Sequence, residues 1–221
     1  MTRVTTLFLK TLLLTALIAF VTFPAGAFAQ GVKVSLADGF DFPVGKPNAD
    51  NYFKARGLRL RSPQHFGEDW NGRGGGDTDL GDPVYAVADG VVTFAHNVHV
   101  GWGNVVLTRH AYRDPSTGGV KFCDTLNGHL NEILVKEGQQ IKRGQQIGTI
   151  GTNFGMYSAH LHFEIRLNIN IGMQRTSAPA DMANWADPTQ FITKYRKLNR
   201  EWNKVLMPTG TYQEYEGFKG L

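Results

Sequence analysis

Between residues 82 and 167 the chain is a succession of short apolar runs broken by Gly, Asp and Asn, and this constrains the fold more than any other feature. The runs are Val84-Ala88, Gly90-Ala95, Asn104-Arg109, Glu132-Val135, Gln146-Ile150 and Leu161-Leu167. None is long enough for a stable helix, and several are rich in β-branched residues, so they read as strands joined by tight turns. Ala88-Asp89-Gly90-Val91 and Lys142-Arg143-Gly144-Gln145 supply the turn chemistry, with Gly available for positive φ. The expected fold is mainly β, an all-β pattern of short strands.

Residues 187–206 break that pattern. Asp187 can cap a helix with Pro188 at its first position, and Phe191, Tyr195, Leu198, Trp202 and Val205 recur at helical spacing. One amphipathic helix over about 187–206, packed outside the sheet, is expected. The division that follows is 1–29, 30–62 as an N-terminal lead-in, 63–170 as the β core and 171–221 as a C-terminal extension.

The chemistry concentrates in the last apolar run and in a segment far upstream of it. His160 and His162 flank Leu161, and alternation along a strand puts both imidazoles on one face. His65 and Asp69 also share a face if their segment is extended, and Gly67 between them disfavours a helix. Two imidazoles and a carboxylate form a donor set suited to catalytic zinc, with a fourth position left for water. The helical HExxH arrangement is absent. Taken alone, HxH on a strand is more often a pair of hydrogen-bonded histidines, so the surrounding sequence decides the matter.

That sequence is an ordered series. His65-Phe66-Gly67-Glu68-Asp69 is followed by Gly81-Asp82-Pro83-Val84-Tyr85-Ala86-Val87-Ala88-Asp89-Gly90, by Gly101-Trp102-Gly103-Asn104 and by Gly128-His129-Leu130. Val135-Lys136-Glu137-Gly138-Gln139 then leads to His160-Leu161-His162-Phe163-Glu164. Over roughly residues 63–167 the chain resembles the lysostaphin-type (LytM-like) zinc metallopeptidases, which cut peptide bonds in bacterial peptidoglycan. The resemblance implies one zinc ion per chain on His65, Asp69 and His162, with His129 and His160 as the two catalytic histidines that do not bind metal. Glu68 points away from the face shared by His65 and Asp69. Glu164 continues the face of His162, either hydrogen-bonding its imidazole or serving as a structural carboxylate. His96, His99 and His110 match no ligand position and read as surface or turn histidines. Cys123 reads as a small packed hydrophobe, and Asn104 as a turn residue.

Two features depart from the resembled pattern. The segments 71–79 and 113–119 are longer than usual, and loops in those places border the substrate groove in that family. Asn127-Gly128 stands where relatives often carry an aromatic two residues before the histidine matching His129. The family also includes catalytically silent members that recruit or activate another wall hydrolase, usually lacking one or more of the five central residues. All five are present here, which favours a zinc endopeptidase acting on peptide cross-links. The Val135–Ile150 pattern also resembles the flank of biotinyl and lipoyl carrier domains. Carrier function is excluded because no Lys occurs between Val84 and Val100, but the resemblance implies a compact antiparallel β-sandwich or barrel hybrid with a groove across it.

The first 29 residues read as a secretory signal: Arg3 and Lys10, an apolar stretch from Thr11 to Val21, then Ala27-Phe28-Ala29 as the exit. Export to the periplasm or cell wall is expected, with cleavage before Gln30 and no stable membrane insertion afterwards. Removing Arg3 and Lys10 lowers the formal charge from +4 to +2, which is no footprint for nucleic acid. A single cysteine rules out an intrachain disulfide in that oxidising compartment.

Overall fold

The computed structural model describes residues 30–61, 63–99, 101–174 and 183–213. The signal-like segment at 1–29 lies outside them. Among the described residues no helix is long and apolar enough to cross a membrane.

Among the described residues, twelve strands account for most of the regular structure. β1 (Gln30–Ser35), β2 (Tyr52–Arg56), β3 (Glu68–Gly72), β4 (Pro83–Tyr85), β5 (Gly90–Asn97), β6 (Asn104–Arg113) and β7 (Val120–Leu130) come first. β8 (Gln140–Ile141), β9 (Gln146–Thr149), β10 (Leu161–Arg166), β11 (Trp185–Ala186) and β12 (Lys204–Thr209) follow. The principal sheet has the order β2-β3-β10-β7-β6-β5-β8, with β11 added to β10, and every pairing is antiparallel. Two ribbons complete the fold, β4 with β9 and β1 with β12.

The sheet is covered on both faces, which explains the near-continuous burial of its middle strands. Val106, Leu161, Phe163 and Ile165 enter the larger core with Phe40, Val84, Ile147 and Ile150. Val105, Leu107 and Leu126 enter a second cluster closed by Trp102 and Met173. A third cluster packs Val34 and Met207 of the β1–β12 ribbon against Val91 and Ala111. Each fully buried Leu, Ile or Phe contributes about 1.5–3 kcal/mol of transfer free energy.

Local chemistry places the segments that matter for the cleft. A Cβ added at Gly67 would lie 2.2 Å from the Phe163 carbonyl oxygen, so only glycine lets the 65–69 segment close on β10. The register then sets Asp69 opposite His162 and His162 opposite Gly128, aligning β3, β10 and β7 at one end of the sheet.

Four expectations need correction. The C-terminal helix, expected over about 187–206, starts where its cap predicts but covers only Pro188–Lys194 (α1); Asp187 accepts the Gln190 N–H at 2.8 Å. Phe191 and Tyr195 are buried, yet Leu198 N–H donates to the Asp38 carbonyl outside any helix, and Trp202 is 86% exposed. From Lys204 the chain becomes β12, because the open edge of β1 offers a full ladder of partners. Second, β7 is a strand that the apolar pattern did not reveal: its buried stretch includes Asp124, Thr125 and Asn127. Third, Glu132–Val135 makes only the single bridge Ile133 to Gly148, and the run from Val84 leaves its strand at Tyr85. Fourth, His110 is fully buried in β6 rather than at a surface or turn, its Nδ1 3.0 Å from the Asp89 carbonyl and its Nε2 3.1 Å from Thr125 Oγ1.

Candidate metal centre and cleft

β3, the segment that leads into it and β10 bring His65, Asp69 and His162 together as the buried set of metal-type donors among the described residues. His65 Nε2 lies 2.9 Å from Asp69 Oδ1 and 3.1 Å from His162 Nδ1, and His162 Nδ1 lies 2.9 Å from the same carboxylate oxygen. The far side of each imidazole is already committed. His65 Nδ1 is 2.9 Å from the Gly57 carbonyl, which only accepts, so that nitrogen carries the proton. His162 Nε2 is 2.8 Å from Glu164 Oε1 and donates there in the same way. In neutral tautomers the three inner atoms are therefore lone pairs facing one another.

Such a triangle repels itself unless a cation sits between the lone pairs. The electrostatics state this in terms of protons. Burial would lower the His162 pKa, but Asp69 and Glu164 beside it raise it overall. Burial would raise Asp69, but hydrogen bonds from His162 and His65 hold its carboxyl far below the usual carboxylate range. A metal ion competes for that same space. With bonds of ~2.0–2.1 Å, tetrahedral donors stand ~3.3–3.4 Å apart, so the triangle need open by only a few tenths of an ångström to accept zinc. The donor set fits the ion.

The inner carboxylate and imidazoles are also braced from behind. Glu164 accepts from Arg166 Nε and from Trp185 Nε1, at 2.8 and 2.9 Å, on the oxygen His162 does not use. Both Glu164 and Arg166 are fully buried, so the imidazole plane rests on a rigid ionic support. Glu68 turns the other way, accepting from Lys54 Nζ at 2.8 Å and Thr189 Oγ1 at 2.7 Å.

The triangle lines a cleft of about 470 Å³ that His129 and His160 also line. His129, the penultimate residue of β7, has φ +60°, a left-handed conformation costly for a residue other than glycine. Its Nδ1 donates to the Trp102 carbonyl at 3.1 Å, and His160 Nδ1 donates to the Ser158 carbonyl at 2.8 Å. Both rings thus carry a bare Nε2, and that of His160 lies 3.9 Å from Asp69 Oδ1. The ring centroids of His129 and His160 are 4.9 Å apart. Burial, then the charges of His162 and His160, push the His129 pKa down to about 3, so it is neutral at physiological pH.

Three cleft residues escaped sequence reasoning. Trp102 stands edge-on to His162 at 5.5 Å, Tyr157 lies 4.9 Å from His129, and Arg56 Nη1 sits 3.4 Å from Asp69 Oδ2. Aromatic walls therefore flank His129 although Asn127 is buried outside the cleft lining. A Cβ at Gly128 would stand 3.4 Å from the Trp102 ring, an ordinary packing contact, so Trp102 lies directly beside the Gly128 backbone. Trp102, within Gly-Trp-Gly, carried a local signal; Arg56 carried none. His96 is exposed beside Glu137 and His99 sits in a turn at φ +56°, and neither lines the cleft.

The site is thus a buried His-Asp-His donor triangle at one end of an antiparallel sheet, able to hold a metal ion, with two further imidazoles in the same cleft. Residues 65–171 match the sequence signature of Peptidase family M23, and the chain belongs to that family. It is similar to Lipoprotein NlpD of Yersinia enterocolitica, 37% identical over 86 residues, covering 39% of this chain and 78% of that protein. It is also 33% identical over 129 residues to the Peptidoglycan DD-endopeptidase ShyA of Vibrio cholerae, covering 55% of this chain. Identity to the Murein hydrolase activator NlpD of Escherichia coli is 38% over 86 residues, covering 39% of this chain. The chain spans 26% of the length of ShyA and 20% of that activator. Among solved structures, the SpoIIQ–SpoIIIAH pore-forming complex aligns at a TM-score of 0.51 with 22% identity, covering 72% of this chain and 93% of that one, a likeness of fold alone.

Proposed function

We propose that the chain is an exported zinc endopeptidase that hydrolyses peptide cross-links in bacterial peptidoglycan. The observation that carries this reading is the convergence of three lone pairs with two further bare imidazole nitrogens in one cleft. His65, Asp69 and His162 hold one zinc ion. Bound zinc supplies Lewis-acid chemistry, making water a nucleophile near neutral pH and polarising an amide carbonyl. His129 and His160 present Nε2 as acceptors; each can take the proton released on attack and, once charged, hold the developing oxyanion or pass the proton to the leaving amine. Their Nδ1 bonds to backbone carbonyls fix the tautomer this requires. Residues 1–29 are a cleaved leader, which brings the enzyme to the periplasm or cell wall.

The substrate class is supported by the peptidoglycan endopeptidase among the relatives and by the absence of any motif for glycan cleavage, which needs paired carboxylates across a sugar cleft. Asp69 is the sole carboxylate lining this cleft among the described residues. The activator relatives favour a second reading, a silent wall-binding protein that stimulates another hydrolase. Purified sacculi separate the two. Zinc-loaded protein is expected to convert cross-linked muropeptide dimers to monomers and leave glycan strands intact, with chelator abolishing the conversion. His129→Ala should retain zinc and lose ~10²–10⁴-fold in rate. Wild-type protein that binds sacculi, releases nothing and stimulates a separate hydrolase establishes the activator reading instead.

A further inference from the structure

β2 pairs with β3 through an irregular register in which Lys54 stands opposite Trp70 and Arg56 opposite Asp69, leaving Ala55 as an extra residue. In an unbroken strand, positions 54 and 56 would share a face. They do not. Lys54 reaches behind the sheet to Glu68 and to Thr189 Oγ1, 2.8 and 3.2 Å away, whereas Arg56 lies over Asp69 on the cleft side. The bulge thus re-aims a cation toward the metal-type donors, a recurrent use of bulges beside active sites.

Arg56 is the one Lys or Arg side chain lining the cleft among the described residues. It is 60% exposed, and its contact with Asp69 Oδ2, at 3.4 Å, occupies at most one of five donors. Asp69 offers its other oxygen to His65 and His162. Arg56 therefore presents most of a planar fork at the rim of the cleft, a shape that matches a carboxylate through two parallel hydrogen bonds. β2 also lies N-terminal to the segment 65–171 that carries the family signature.

We propose that Arg56 binds a carboxylate of the substrate peptide beside the scissile amide and so selects acidic over amidated peptides, an inference that rests on the peptidase reading. Two sources share that chemistry, a side-chain carboxylate and a free C-terminal carboxylate. The test uses four synthetic peptides, each source as acid and as carboxamide, with zinc-loaded wild type, Arg56→Gln and Arg56→Lys. Zinc content, calorimetric affinity and steady-state hydrolysis are measured for each.

Wild type should favour one acid over its own amide by roughly tenfold or more, the worth of a charge-assisted pair, expressed in Kd and KM rather than kcat. Arg56→Gln should erase the preference, Arg56→Lys should keep part of it, and all three should hold equal zinc. The acid that shows the preference identifies the source. Equal losses on acid and amide, or lost zinc, would mean that Arg56 only supports Asp69 and overturn the proposal, as would a wild type indifferent to both acids. Acid preference in binding without hydrolysis retains the Arg56 subsite and defeats the peptidase reading; hydrolysis without preference does the reverse.

Discussion

Two buried polar clusters in this protein contain an acid and a base held close together, and they differ in one respect. On the sheet face away from the main core, Arg109 donates through Nε and Nη2 to the two oxygens of Asp124, at 2.7 and 2.8 Å. Its other N–H groups go to the Pro208 and Ile169 carbonyls and Thr211 Oγ1, so all five donors are used. Tyr212 closes the cluster by donating to Asp124 Oδ2 at 2.9 Å. In the cleft, His65, Asp69 and His162 with both imidazoles neutral point three acceptors at one another, and only added protons or a metal cation can fill the space between them. A saturated cluster fastens the chain, here pinning residues 208–212 across β6 and β7. A cluster short of a cation is built to receive one. Burial alone does not separate them; donor arithmetic does.

The largest expected effect breaks the cleft half of that contrast. Removing one acceptor leaves two, too few to hold zinc firmly. Asp69→Ala and His162→Ala should each lose metal and all measurable hydrolysis while keeping the wild-type circular dichroism. Full zinc in purified His162→Ala, by elemental analysis, would show that the ion is held elsewhere and that His160 has been taken for the wrong histidine.

How far each cluster could be read in the sequence follows from the range of the interactions that build it. His160 and His162 share a run with Leu161 and Phe163, so period-two alternation placed them together, and Gly67 marked the close approach of the other segment. His129 needed the resemblance, because the strand that carries it interleaves Asp124, Thr125 and Asn127 with apolar residues and shows no alternation. Arg56 was invisible: its face depends on a bulge created by pairing with a strand twelve residues on. His110 was misplaced because its partners, the Asp89 carbonyl and Thr125, are supplied by other parts of the chain. The overlong helix has a similar cause. Phe191, Tyr195 and Leu198 do serve the core, but Trp202 and Val205 continue the helical spacing by coincidence: Trp202 lies in the open stretch before β12, and Val205 within β12, which pairs with β1.

The saturated cluster should fail differently. Arg109→Ala strands a buried carboxylate and frees the tail, at a cost of about 3–5 kcal/mol. For a domain of this size that is a fall of roughly 6–20 °C in Tm, with zinc per folded molecule unchanged. An apolar replacement of both partners, Arg109→Met with Asp124→Leu, should recover much of the loss. No apolar replacement should rescue the cleft. If Arg109→Ala loses zinc while remaining folded, the two clusters are coupled and the contrast is wrong.

Glu164 tests the brace behind His162. Glu164→Gln keeps the size and one acceptor but removes the charge that orients the imidazole and balances Arg166. Zinc affinity should fall ~10–100-fold, in line with other supports of ligand histidines, measured by competition with a chromophoric chelator. Unchanged affinity would make Glu164 a structural partner of Arg166 alone.

The smallest effect concerns His110, a histidine whose two nitrogens are satisfied like those of the Arg109 cluster. Burial pushes its pKa down to about 4 from the usual 6.5. Between those values the unfolded chain binds a proton that the folded chain refuses, so stability rises with pH across this window and is lost on acidification. The slope from one such group is about 1.4 kcal/mol per pH unit. It should vanish above pH 6.5, where both states are neutral, and below pH 4, where both are charged. His110→Gln should therefore flatten the dependence of Tm on pH between 6.5 and 4, whatever it does to Tm at neutral pH, and leave zinc content unaltered because the ring neither lines the cleft nor contacts the triangle. His129, held at about 3 in the cleft, adds a slope of its own that this substitution leaves in place. An unchanged pH dependence in His110→Gln would show that acid sensitivity belongs to the cleft histidines, and that the buried ring in β6 accepts its proton as readily folded as unfolded.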